Sequence, residues 1–389
     1  MSQATTPKRR RRPRGEGSIY ETAGGRWRGA VVHELPDGTK RRHVVSGQTE
    51  AIVRDKLAEL RRELAETGRP TPRTTVTEYL VGWLELQRDR VRPASYLSME
   101  QHCRTHIVPA LGHLRLANVR PSDIDRLLDA IQRSGRSAVT AQHVRVTLVH
   151  ALGDALRDQI VRRNVAALSR PPRAERHSIV YLTAPEVRQM IEGTREAEHG
   201  ALYALLASTG LRLGEALALR WQDIDLDAGT LSVSRSMARG LEPGEYRIAA
   251  PKTASSRRTI PLTATAAEAL RRRRARQNAD RLAVGPVWQG GSADLIFTDQ
   301  LGRALNGPRV TRAWQRDREA AGIRRVRLHD LRHSAATLML AEGVPLAVIS
   351  SVLGHSSIAV TSAFYAAVLP ELHREAADAL DRAINGHQQ

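Results

Sequence analysis

Tyr365 stands ten residues after His355 in LGHSSIAVTSAFY (353–365) and is the only tyrosine beyond Tyr246. Upstream lie Arg212, in STGLRLGEAL, and the run HDLRH at 329–333. A phenol preceded by His/Arg clusters has the parts of a nucleophile beside an anion clamp. Arginine stays charged at neutral pH and offers forked donors that fit a phosphate, while histidine donates a hydrogen bond or moves a proton.

Each group also has a plainer reading. HDLRH sets His329 and Arg332 three apart, on one face of a helix start, with His333 beside them pointing elsewhere. Arg212 and Glu215, also three apart, fit either a carboxylate that orients the guanidinium or a surface ion pair. Lys252 follows Pro251 at a hairpin bend in PKTASSRRTIPL, where a lysine is usually solvated. In a helix–turn–helix reading of LAVISSVLGHSSIAVTSAFY, with Gly354 at the turn, His355 would cap or pack and Tyr365 would be a packed aromatic. Metal ligation by His329 and His333 has helical spacing but lacks an HExxH glutamate or a third nearby ligand.

The elements that must position these groups follow from composition and pattern. The chain of 389 residues carries 60 Lys+Arg against 41 Asp+Glu, a formal charge of +19, so a polyanionic partner is expected, although a GC-rich genome also inflates arginine. Cys103 is the only cysteine, which excludes an intrachain disulfide or a thiolate zinc cluster and fits a reducing cytosol. No stretch approaches the roughly 18 apolar residues of a membrane span, and the basic start PKRRRRPR is not followed by a signal-peptide core. The expectation is a cytosolic protein with no membrane partner.

Residues 1–14 read as a basic flexible arm. From 15 to 67, alternating polar and apolar residues around Gly24-Gly25 and Asp37-Gly38 give a three-stranded meander followed by a charged helix opening at Thr49-Glu50. Arg26, Arg28, Lys40, Arg41 and Arg42 are candidates for its exposed, DNA-binding face. GRPTPR (68–73) is a linker, and 74–168 carries the helical periodicity of a four- or five-helix bundle. SRPPRAERHS (169–178) is a second linker. The block 179–389 is mixed but mainly helical: TAPE (183–186) has capping-box spacing, and LSVSRS with RIAAPKTASSRRTIPL reads as a strand pair. The fold class is mainly α with small antiparallel β elements.

Read in order, TGLR, PKT, HDLRH, LGH and a terminal tyrosine resemble the catalytic domain of the tyrosine recombinases, in particular phage-type integrases, over about 179–380. The resemblance implies that Arg212 and Arg332 are the catalytic arginines, Lys252 the hairpin lysine, His329 and His355 the flanking histidines, and Tyr365 the nucleophile. It implies a core-site DNA-binding domain at 74–168 and, on a looser match, an arm-type DNA-binding domain at 15–67. Its partners would be double-stranded DNA attachment sites and a homotetramer on DNA, with a host DNA-bending protein and an excisionase-like directionality factor as accessories. Neither ATP nor a divalent metal is required by that chemistry. Type IB topoisomerase-like relaxation and a catalytically inactive DNA-binding regulator are the competing readings. The helix expected at 369–384 would dock on its own domain or on a neighbouring subunit.

Overall fold

The structure is a computed structural model that describes residues 18–34, 39–67, 73–173, 180–242, 244–250, 257–291, 294–354 and 381. The expected arm at 1–14, the first linker apart from Arg73, part of the second linker, Lys252, His355, Tyr365 and the helix at 369–384 apart from Asp381 lie outside the described residues. The chain divides into two compact units, Met1–Glu175 and Arg176–Gln389.

In the first unit, β1 (Ser18–Glu21), β2 (Trp27–Glu34) and β3 (Lys40–Gly47) form an antiparallel sheet in sequence order. Helix α1 (Glu50–Thr67) follows. Val31 and Val45 on the sheet bury against Val53, Leu57, Leu60 and Leu64 of α1. Side chains alternate across a strand, so that packing assigns one sheet face to the helix and leaves the other open.

A second cluster of buried residues belongs to α2 (Val76–Arg90), α4 (Val108–Leu111), α5 (Pro121–Arg133) and α6 (Ala138–Arg157), and α3 (Pro93–His102) packs its partly buried Met99 against it. Thr75 and Glu78 form the capping box that starts α2. Apolar residues of α5 recur at helical spacing, and Ile124, Leu127, Leu128 and Ile131 are all buried. A buried polar knot joins α2 to α6: Trp83 Nε1 and Gln87 Nε2 donate to Asp154 Oδ2 at 2.8 and 3.1 Å. The chain stays helical from α3 into α4 through a π turn at Cys103–Ile107. The wider turn accommodates Pro109, whose ring would crowd the carbonyl one turn back in an unbroken α-helix.

The second unit contains α7 (Ala184–Gly193), α8 (Gly200–Thr209), α9 (Leu213–Leu217), α10 (Ala264–Val284), α11 (Gly307–Ala320), α12 (Asp330–Ala341) and α13 (Leu346–Leu353). GALYALLAST is apolar nearly all round, so α8 sits at the centre and packs against α10 and α12. Its Tyr203 is fully buried and donates its hydroxyl to Asp317 at 2.8 Å, which satisfies the polar tip. Thr183 and Glu186 cap α7 as the TAPE spacing predicts.

The expected single strand pair is resolved into two sheets. Strands β4 (Ile224–Asp225), β5 (Thr230–Val233) and β8 (Arg258–Pro261) form one, and β6 (Ser236–Arg239) pairs with β7 (Tyr246–Ala249) in the other. LSVSRS therefore divides between β5 and β6, and RIAAPKTASSRRTIPL between β7 and β8. Among the described residues no helix is long and apolar enough to cross a membrane.

Candidate active site

Two glycines deliver the site. α8 ends at Gly210, whose left-handed backbone (φ 65°) turns the chain into Leu211 and Arg212. α13 ends at Gly354, again left-handed (φ 68°). Both conformations cost an L side chain about 1–2 kcal/mol and cost glycine almost nothing. Space imposes the same choice at Gly210, because a Cβ there would lie 2.4 Å from Leu353 Cδ2.

Arg212 is the N-cap residue of α9, and its own N–H donates to Glu215 Oε2 at 3.0 Å. Its guanidinium donates through Nη1 to Glu215 Oε1 at 2.8 Å and through Nη2 to the Gly354 carbonyl at 3.1 Å. The pair is not a surface ion pair: the Arg212 side chain is 39% exposed, but that of Glu215 is only 3% exposed. Glu215 is thus the carboxylate that orients the guanidinium.

Arg332 is buried on the first turn of α12. It donates through Nη1 to the Gly210 carbonyl at 2.7 Å and through Nη2 to the Leu353 carbonyl at 2.9 Å. A third arginine, absent from the residues singled out above, completes the arrangement. Arg258, at the start of β8, donates through Nε to the Val352 carbonyl at 2.5 Å and through Nη2 to Glu215 Oε2 at 3.0 Å. Three consecutive carbonyls at the end of α13 therefore each receive a different arginine.

The physical reason lies in the helix end. The last carbonyls of an α-helix have no partner within the helix, and the dipole makes that end negative. Gly354 closes one turn through its own N–H to Ser350 and Ser351, and cations bind the carbonyls that follow. Arg258 had one signal in the sequence: strand alternation in RTIP puts it on the same face as Ile260, which is buried. A charge at an inward strand position needs a buried partner, and Glu215 supplies it.

Burial alone would raise the Glu215 carboxyl. Hydrogen bonding and charge from Arg258, followed by the backbone and side chain of Arg212, outweigh it and hold the pKa below the usual carboxylate range. The carboxylate is ionised at neutral pH.

His329 immediately precedes α12 and keeps an exposed edge. His333 does not point elsewhere: the two rings meet edge to face, with centroids 5.4 Å apart. One helical turn separates them, so their side chains converge over the first turn of α12. Desolvation by surrounding protein atoms, then His333 and then Arg332, push His329 below the ordinary imidazole value. That shift favours the neutral ring, which is able to accept a proton. Among the described residues no three His, Cys, Asp or Glu side chains converge as a metal site.

The DNA-binding candidates in the first unit do not share one face. Register pairs Arg28 with Ser46, Val32 with Arg42 and Glu34 with Lys40, all on the sheet face opposite α1. Tyr20, Val32 and Val44 are exposed on that face. Arg41 pairs with His33 on the α1 side, one residue out of phase with its basic neighbours. Arg26 lies in the β1–β2 turn, where its carbonyl accepts from Thr22.

Comparison with known proteins places these features in a family. Residues 180–371 match the Phage integrase family, and residues 75–131 match the Phage integrase, N-terminal SAM-like domain. An integrase of Streptomyces ambofaciens is 30% identical over 385 residues, covering 92% of this chain and 93% of that protein. Among solved structures, the integrase of transposon Tn1549 in complex with transposon right end DNA aligns with a TM-score of 0.64 at 22% identity, over 78% of this chain and all of that one. A lambda integrase tetramer bound to a Holliday junction aligns with a TM-score of 0.56 at 19% identity, over 90% of this chain and 97% of that one.

Proposed function

The chain belongs to the phage integrase family, and from that membership we propose that it is a site-specific DNA recombinase that integrates or excises a mobile element. It breaks and rejoins DNA strands through a 3′-phosphotyrosyl intermediate. The observation that carries this reading is the convergence of Arg212 and Arg332 on the Gly354 and Leu353 carbonyls, immediately ahead of His355 in the chain.

A phosphodiester repels anionic nucleophiles, and a phenol of pKa about 10 is mostly protonated at neutral pH. Arg212 and Arg332 hold the non-bridging oxygens and stabilise the charge that builds in the pentavalent transition state. His329, neutral before DNA binds, assists Tyr365 in losing its proton. The Tyr365 oxygen then bonds to phosphorus as the bond to the 5′ oxygen breaks. Lys252 gives the departing oxygen its proton, and His355 donates to a phosphate oxygen.

The energy of the broken bond is kept in the phosphotyrosyl ester. Attack by the 5′ hydroxyl of a partner strand releases the tyrosine and exchanges strands without ATP or a divalent metal. Two such rounds through a four-way junction complete recombination by four protomers. Residues 74–168 bind the core sites and 15–67 the arm sites, with a host bending protein and an excisionase-like factor setting direction. The segment 369–384 docks on a neighbouring subunit and links each active site to assembly. The protein works in the bacterial cytosol on the nucleoid.

The test uses nicked suicide duplexes with a randomised core, from which any strand cut by the protein is recovered as a covalent adduct. Wild type should capture a defined sequence, join it to a partner duplex, and lose both activities in Tyr365→Phe. Absence of an adduct with wild type would overturn the reading. An adduct with relaxation of supercoiled DNA but no joints would replace recombination with topoisomerase activity.

A further inference from the structure

Arg258 is chemically the least expected member of the arginine group. Its side chain is only 7% exposed, and it bonds the same carboxylate as Arg212. Glu215 divides its oxygens between them: Oε1 accepts from Arg212 Nη1 at 2.8 Å and Oε2 from Arg258 Nη2 at 3.0 Å. Arg258 Nη1 lies a further 3.4 Å from Oε1. Another bond, from Nε to the Val352 carbonyl, reaches the end of α13 two residues before the Gly354 carbonyl that receives Arg212.

Arg212 is therefore held at two points, Glu215 and Gly354, and Arg258 is bonded to the first and to the close neighbour of the second. Its own backbone is fixed by pairing with Val233 in the β4–β5–β8 sheet. The contact with the helix end is close: a Cβ on Gly354 would lie 2.8 Å from Arg258 Nη1.

We propose that Arg258 is a positioning residue for strand cleavage, aiming the Arg212 guanidinium at the scissile phosphate by fixing the Glu215 carboxylate and the end of α13 together. The proposal rests on the cleavage chemistry given above. A planar guanidinium serves two acceptors set at a fixed angle; a lysine ammonium keeps the charge beside Glu215 but cannot reproduce the fork. Arg258→Lys thus separates charge from geometry and spares the buried carboxylate its cation.

The experiment compares wild type, Arg258→Lys and Arg273→Lys in single-turnover cleavage of the suicide duplex recovered above. Arg273 is an equally buried arginine whose guanidinium bonds the carbonyls of Ile296 and Thr298, so its variant reports loss of stability without loss of aim. Arg258→Lys should bind DNA as wild type does yet form the phosphotyrosyl adduct about 100-fold more slowly, the scale of a misaligned catalytic group. The same duplex is then made with one non-bridging oxygen of the scissile phosphate replaced by methyl, in each stereoisomer. That change removes the negative charge that Arg212 is aimed to meet.

In one stereoisomer most of the Arg258→Lys deficit should disappear, while any deficit of Arg273→Lys persists. Cleavage by Arg258→Lys at the wild-type rate overturns the inference, as does a deficit equal on charged and neutral phosphate. If wild type itself forms no adduct, the cleavage chemistry falls and the inference with it.

Discussion

The Arg332 guanidinium donates to the Gly210 carbonyl at 2.7 Å, so one arginine of the site is fastened to the turn that delivers the other. The two differ in what else depends on them. Arg332 is buried and also holds the Leu353 carbonyl, whereas Arg212 is partly exposed, and Glu215 keeps Arg258 as a partner without it. Removing either arginine should cost about 3 kcal/mol or more of transition-state stabilisation, by analogy with a lost oxyanion donor, with DNA binding largely retained. Arg332→Ala should also destabilise the fold more than Arg212→Ala does, because it leaves two buried carbonyls unpaired, Gly210 and Leu353, against one, and each costs about 1–3 kcal/mol. Adduct formation, gel shifts and thermal unfolding of Arg212→Ala and Arg332→Ala measure the three quantities; equal melting temperatures would contradict the difference in burial.

Gly210→Ala should damage the site without touching a charged group. The backbone there is left-handed, and the added methyl meets Leu353 of α13 at 2.4 Å. The conformational part costs about 1–2 kcal/mol, and the contact pushes α13 away from Arg332. Lower thermal stability together with slower cleavage is expected. A variant that melts earlier but cuts at the wild-type rate would separate the turn from the chemistry.

Acid should weaken the second unit in two stages. His329 and His333 both titrate below the ordinary 6.5, with desolvation the largest cause at each. The unfolded chain therefore binds more protons than the native one just below 6.5, and stability falls as the pH drops from there through the folded-state values. At neutral pH and above, neither ring adds to the slope. Glu215 acts lower down: its stabilising contribution is complete above the unfolded value of 4.5 and is lost as the pH falls through its depressed folded value. Chemical unfolding between about pH 7.5 and about pH 5 should show the first stage in wild type and a shallower one in His329→Asn/His333→Asn. Parallel slopes would argue against lowered histidines.

Arg212 and Arg332 were legible in sequence because each lies within a short motif whose spacing is a helical turn or its cap, and local geometry is what spacing encodes. Arg258 was hidden for the opposite reason. Its partners, Glu215 and Val352, are 43 and 94 residues away, and only the packing of β8 against α13 brings them together. The error over His333 has the same origin: spacing put it one turn from His329, but which way an imidazole leans is settled by its neighbours in the fold. The π turn at Cys103–Ile107 lies just ahead of Pro109, a residue within the apolar pattern that no periodicity distinguishes from its neighbours. On the first sheet, alternation was visible in the sequence, but treating five cations as one face ignored that adjacent strand residues point to opposite sides.

That alternation yields a prediction within the sheet itself. Arg28, Lys40 and Arg42 lie on the face opposite α1, beside exposed Val32 and Val44, whereas Arg41 faces the helix side. If the open face meets the DNA backbone, each phosphate contact removed should flatten the plot of log K against log salt concentration by about 0.9. Arg28→Ala and Arg42→Ala should each show that change and weaken binding across sequences. Arg41→Ala, with nearly the same net charge and the adjacent position in the chain, should change the slope less. Lys40→Ala is the intermediate case, since its ammonium lies 3.9 Å from Glu34 on the same face and that carboxylate already offsets part of its charge. Fluorescence anisotropy of full-length protein on a labelled duplex, over a salt series, reads all four variants. If Arg41→Ala flattened the slope as much as Arg42→Ala, the DNA would be sensing net charge alone, and the open face would have no special part in binding.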